Sequence, residues 1–110
     1  MWQKAVDLSV NVYKATENYP KAEIYGLTSQ SRRAAVSVAA NIAEGYGRQS
    51  DGDLGRFLRI SQGSLKELET HLHIAKRLAM LKVDNFNELM DDCNEIGRML
   101  RAFINRTANR

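Results

Sequence analysis

Residues Thr28–Arg48, TSQSRRAAVSVAANIAEGYGR, decide the fold. At about 100° per residue, Ala34, Ala35, Val38, Ala39 and Ile42 share one side of a helix, and Val36, Ala40 and Ala43 take much of the other. Polar groups keep one narrow stripe, Arg33, Ser37, Asn41 and Glu44, at spacings of 4, 4 and 3. A helix apolar over most of its circumference, yet broken by Arg, Ser and Asn, does not span a bilayer and is buried by protein. In a chain of 110 residues one core covers only one face of it, so the surplus predicts an oligomer.

Working outward, the chain reads as a single all-α domain over 1–110. The first helix covers residues 3–17, with Trp2, Val6, Val10 and Tyr13 on one stripe and Ala5, Leu8 and Val12 on a second. Residues 18–26 form a joint, because Pro20 removes a backbone donor and stops the helix. Thr28 is placed to cap the second helix, residues 28–46. Ser50 followed by Asp53 resembles a capping box and opens the third helix, residues 53–81. Its main seam is Leu54, Leu58, Ser61, Leu65, Leu68, Leu72, Ala75 and Ala79, in the alternating steps of near-parallel helix packing. A second stripe, Phe57, Ile60, Ser64, Ile74 and Leu78, lies beside it. The fourth helix, residues 84–107, gathers Phe86, Leu89, Met90, Cys93, Ile96, Gly97, Leu100, Phe103 and Ile104 on one face. Its acids crowd the first half and its arginines the second, which complements the helix dipole. Four helices with short joints predict an antiparallel up-and-down four-helix bundle, assembling as a ring-like homo-oligomer.

Composition excludes several classes. A lone cysteine forms no internal disulfide and suits a reducing, cytoplasmic compartment. No secretory leader opens the chain and no apolar run reaches the ~20 residues of a membrane span, so no membrane partner is expected. The net charge of +3 permits an acidic partner without demanding one. Gly63-Ser64 lacks the strand-to-helix elbow of a nucleophilic serine. His71 and His73 point about 200° apart on a helix and have no Glu-x-x-His context, so no metal is expected. The glycines Gly45, Gly47, Gly52 and Gly55 lack the strand and Gly-Lys-Ser/Thr of a phosphate loop. No catalytic residue and no cofactor are predicted.

Two constellations remain. Arg33, Ser37, Asn41 and Glu44 read as a structural polar network, with Glu67 on the third helix as a charged partner, because a buried charge survives only when satisfied. Arg59, Lys66, His73 and Arg77 fall within about 40° on the third helix and span ~27 Å along its axis. Arg56, Arg32 and Arg48 would extend them. Such a row suits electrostatic, largely sequence-blind contact with the phosphates of RNA or DNA. No aromatic residue interleaves it, so base stacking is not expected there.

Three stretches, WQKAVDL (residues 2–8), YGLTSQSRRAAVSVAANIAEGYGR (25–48) and FLRISQGSLKELET (57–70), resemble the 23S ribosomal RNA intervening-sequence protein family. That family also includes the accessory variability proteins of diversity-generating retroelements. The resemblance implies a bacterial four-helix bundle, a ring-like homopentamer and no known enzymatic activity. Intervening-sequence members are encoded within inserts of the large ribosomal RNA gene, and retroelement members bind a reverse transcriptase and nucleic acid. The expected function is therefore non-enzymatic binding of RNA or DNA by a homopentamer. The alternatives are a protein-docking scaffold, such as an accessory subunit for a reverse transcriptase, and a metal- or ligand-dependent enzyme.

Overall fold

The computed structural model describes residues 1–108. Four helices follow one another: α1 (Trp2–Thr16), α2 (Leu27–Tyr46), α3 (Asp51–Arg77) and α4 (Val83–Ala108). A 3-10 turn, Lys21–Glu23, sits in the joint between α1 and α2. Among the described residues there is no strand. Each helix packs on its neighbours in sequence, and α4 closes the circuit on α1. The register is antiparallel throughout. Ser9 meets Ala35 while Thr16 meets Arg32; Ser61 meets Val38 while Ser64 meets Ser37. Gly97 lies against Leu65 and Gly55 against Thr107, which sets α4 alongside α3. The molecule measures 46 × 23 × 19 Å.

Helix α2 is central because its core face is built from small residues. Ala34, Ala35, Val38 and Ala39 are buried beside Ile42, so α1 and α3 approach its backbone closely. Two serines exploit that approach from opposite sides. Ser9 donates from α1 to the Ala35 carbonyl at 3.0 Å, and Ser61 donates from α3 to the Val38 carbonyl at 2.8 Å. Both hydroxyls are buried; sliding α3 would leave that of Ser61 unpaired at a cost of about 1–3 kcal/mol, whereas Ser9 also reaches the Ala5 carbonyl of its own helix at 3.2 Å. The remaining core comes from Leu8 and Val12 of α1, Leu58, Leu65, Leu68 and Leu72 of α3, and Leu89, Cys93, Ile96 and Leu100 of α4.

Several expected boundaries shift, each for a local reason. The α2 helix starts one residue early, and Thr28 is buried in its first turn rather than capping it. The Glu23 carboxylate, delivered by the 3-10 turn, accepts from the Leu27 N–H at 3.1 Å instead. At α3 the Ser50 cap forms as expected, with the Asp53 N–H donating to its hydroxyl at 3.1 Å. The larger correction lies at the other end of α3, which stops at Arg77 rather than residue 81. Ala79 takes a φ of 59°, the Met80 N–H returns to the Ala75 carbonyl, and the Ala79 N–H returns to Lys76. This is the Schellman closure of a helix, here with alanine where glycine is usual. Ala79 is consequently exposed and leaves the seam predicted for it, while Leu81 folds back into the core at 3% exposure.

The surplus apolar surface stays outside. Val36 is 44% exposed, Ala40 and Ala43 of the same helix are exposed, and so are Trp2, Val10 and Tyr13 of α1. Ile60, Ile74 and Leu78 of α3 are also exposed.

Candidate nucleic-acid interface

The polar stripe of α2 divides in two. Ser37 and Ser64 share a hydrogen bond of 2.8 Å across the α2–α3 contact, and the Asn41 amide donates to the Ser37 carbonyl and hydroxyl. Arg33, Glu44 and Glu67 do not join them. Glu44 pairs with Arg48 one turn on, and Glu67 lies 3.3 Å from His71 in its own helix. Arg33 is exposed and forms no ion pair among the described residues. All three sit on outer surfaces, where a charge is hydrated and needs no buried partner.

The seven candidate cations also separate. Arg32 is tied to α1: its Nε donates to the Thr16 hydroxyl at 2.8 Å and its guanidinium covers the Tyr13 ring. Arg48 and Arg56 sit at the opposite end of the bundle, both over Phe57, with Arg48 also on Glu44 and Arg56 3.8 Å from Asp53. His73 meets the Phe86 ring edge-on, with centroids 4.9 Å apart, and Lys76 lies over the same ring. Arg59 and Arg77 are exposed, with no hydrogen bond or ion pair among the described residues. Lys66 is 3.4 Å from Glu69 but keeps most of its side chain in solvent.

Antiparallel packing then decides which half of the α3 row is cationic. His73 and Arg77 fall beside the acid-rich first half of α4, where His73 meets Phe86. Arg59 and Lys66 fall beside its second half, which carries Arg98 and Arg101, both exposed. The two glycines of this seam explain the closeness. An Nη1 of Arg59 reaches to 3.6 Å from the position a Gly55 Cβ would occupy, and that of Arg101 to 3.7 Å at Gly97. Each arginine thus folds back over the glycine one turn before it and rides on the helix–helix contact. Three cations, Arg59, Lys66 and Arg101, lie along this seam, with Glu69 paired to Lys66, while Arg98 is close enough to Glu95 to help lower its carboxyl.

Arg101 is the seam residue that sequence reasoning missed. Its place in the arginine-rich half of the fourth helix had a sufficient cause in the helix dipole. The signal that finds it is register: folding the chain about the 78–82 joint sets the second half of α4 across from Arg59 and Lys66.

The adjoining flank, between α1 and α4, is rich in acids. Two adjoining shallow cavities of about 270 and 200 Å³ share Asn11 and Asp92, with Glu88 in the first and Asp7 and Glu95 in the second. There Lys4 and Glu95 pair at 2.7 Å, which raises the amine and lowers the carboxyl from their ordinary values. This face repels a polyanion.

Burial pushes the Cys93 thiol up to about 12, so no thiolate forms near neutral pH. Ser64 is engaged with Ser37, and His71 and His73 lie on different flanks of α3. Among the described residues no three His, Cys, Asp or Glu side chains converge as a metal site would require. No helix of the described residues is long and apolar enough to cross a membrane.

Four packed helices, with an exposed apolar face on α2 and no strand among the described residues, define the class: an all-helical four-helix bundle. The chain belongs to the 23S rRNA-intervening sequence protein family, whose model matches residues 1–102. It is similar in fold to a protein of unknown function from the S23 ribosomal protein family of Bacteroides thetaiotaomicron VPI-5482. That crystal structure, at 1.70 Å, aligns with a TM-score of 0.84 and 24% identity over 94% of this chain and 96% of the other. No curated protein matches the chain.

Proposed function

We propose that this protein is a non-enzymatic, homo-oligomeric nucleic-acid-associated bundle of the bacterial cytoplasm. Its contact is the α3–α4 seam. The observation that carries this reading is the placing of Arg59, Lys66 and Arg101 along one helix–helix seam, while the cations at the bundle ends lie on phenylalanine rings and local acids. Contacts of this kind go to phosphates, so affinity falls steeply with salt and little with sequence. Assembly into a ring, five copies as the family resemblance implies, would present the seam repeatedly and convert weak single contacts into avidity.

The test is a salt titration of RNA and DNA binding by the wild type and by the Arg59→Glu, Lys66→Glu double variant. Loss of two phosphate contacts lowers affinity at least about tenfold near physiological salt and makes the slope of log K against log salt shallower by about two. Unchanged affinity and slope, with helicity and mass preserved, would overturn the assignment. A docking scaffold is the second reading, favoured by the uncovered face of α2. A protein partner retained after nuclease treatment would support it.

A further inference from the structure

We infer that the hollow between α1 and the first half of α2 docks a helix of a partner protein, one with acidic residues in its first turn and aliphatic residues beyond it. The inference rests on the docking reading rather than on the seam, with which it shares no cation. The hollow, about 370 Å³, is lined by Tyr13 of α1, Ile24 of the joint and Val36 of α2, together with Arg32 and Arg33. Ile24 is 53% exposed and Tyr13 and Val36 are each 44% exposed, so a side chain seated here covers apolar surface of three elements.

The two arginines decide what that partner carries. Arg32 is fixed in place. Its Nε donates to the Thr16 hydroxyl at 2.8 Å, its Nη2 to the Tyr13 carbonyl at 3.4 Å, and its guanidinium lies 4.6 Å from the Tyr13 ring centroid. These contacts orient the guanidinium and leave its charge unneutralised. Arg33 is exposed and forms no hydrogen bond or ion pair among the described residues. Glu23 of the joint is turned to the Leu27 N–H, and Glu17 pairs with neither arginine. A purely apolar partner would strip water from two cations and return nothing. A carboxylate compensates, because it accepts two parallel N–H bonds from a guanidinium. A phosphate accepts the same bonds, but a nucleic-acid backbone brings no aliphatic side chain to Ile24 and Val36. The combination selects protein, with Asp or Glu within a turn of Leu, Ile or Val. The form of the partner follows from α1. Trp2, Val6, Val10 and Tyr13 stand at i, i+4, i+8 and i+11, one stripe of ~16 Å that ends at the hollow. Trp2 and Val10 are exposed, as Tyr13 is. A helix laid along such a stripe presents its own anchors at the same intervals. Acids sit best at a helix N-terminus, so the partner's first turn meets the arginines and its axis runs antiparallel to α1.

The probe is a fluorescein-labelled, Ala-rich helical peptide of about 16 residues, with Asp and Glu in its first turn and Leu at intervals of three and four after it. A second peptide carries Lys in place of the acids. By fluorescence anisotropy, the wild type should bind the acidic peptide at least about tenfold more tightly than the lysine peptide. Arg33→Glu, at an exposed position with no bond to lose, should reverse that order. The Arg59→Glu, Lys66→Glu variant should bind both peptides as the wild type does, so the hollow and the seam fail or stand separately. Binding of neither peptide, or a preference untouched by Arg33→Glu, would overturn the inference. An RNA strand that displaces the acidic peptide from the seam variant would assign the hollow to phosphates and overturn the choice of a protein. Loss of the wild-type oligomer in native mass spectrometry of Arg33→Glu would assign the hollow to a second copy of this chain and overturn the separate partner.

Discussion

Ala79 pays a local penalty to end α3 where the bundle needs it to end. A φ of 59° brings the Cβ of an L residue against the following carbonyl, a strain that glycine escapes. The side chain is exposed and contributes no core contact, so nothing is lost on removing it. Ala79→Gly should therefore raise stability by about 0.5–1 kcal/mol, read as a higher urea midpoint with unchanged slope at a fixed protomer concentration. A lower midpoint would mean that Ala79 does not hold this conformation in solution. The same residue marks a limit of sequence reading. Its place in the seam followed from the spacing of Leu72 and Ala75, and alanine signals continuation rather than closure. Only Leu81, returning to the core, reveals why the chain turns. Arg33 and Glu44 teach a related point, since a stripe that is polar in sequence is half network and half exposed surface.

At the level of elements, glycines that look alike in sequence do opposite things. Gly63 lies in the exposed interior of α3, and a Cβ added there meets nothing within 4 Å. Gly45 ends the core face of α2, where an added Cβ would lie 3.0 Å from the Phe57 Cβ and 3.3 Å from the Leu54 carbonyl oxygen. Gly63→Ala should gain about 0.8–1 kcal/mol from helix propensity alone. Gly45→Ala gains the same propensity but must push α2 and α3 apart, and overpacking costs about 1–3 kcal/mol. A melting series should move the two variants in opposite directions; a Gly45→Ala protein more stable than wild type would show that the α2–α3 crossing is looser than its geometry. The heptad seam of the third helix, the core face of the fourth and the antiparallel order were all legible, because burial imposes its period directly on residue type. The two halves of the candidate site were less so. The α3 row is visible as a period, but its acidic or basic surroundings are set by register against α4, which no single helix encodes.

For the whole molecule, the decisive quantity is the apolar face of α2 left outside. Val36, Ala40 and Ala43 of α2 are exposed, with Tyr13 of α1 lining the same hollow as Val36, and Trp2 and Val10 of α1 are exposed as well. Such faces on soluble proteins mark contact surfaces. The small residues of α2 let a neighbouring helix approach closely, and burial of each large side chain there contributes about 1.5–3 kcal/mol. Val36→Asp combined with Ala40→Glu would place two carboxylates in that contact. Each unpaired buried charge costs several kcal/mol, and every 1.4 kcal/mol is tenfold in dissociation. Both positions face away from the core, so the protomer should keep its helicity, and if the proposed oligomer assembles through this face, native mass spectrometry should show single chains in place of it. The cationic seam is untouched by these changes. Nucleic-acid affinity should nevertheless fall, by the avidity that several linked seams supply. An oligomer of unchanged mass would place the interface elsewhere on the bundle. Loss of mass with full retention of affinity would show that one seam suffices, and that assembly through α2 serves the protein contact rather than the nucleic acid.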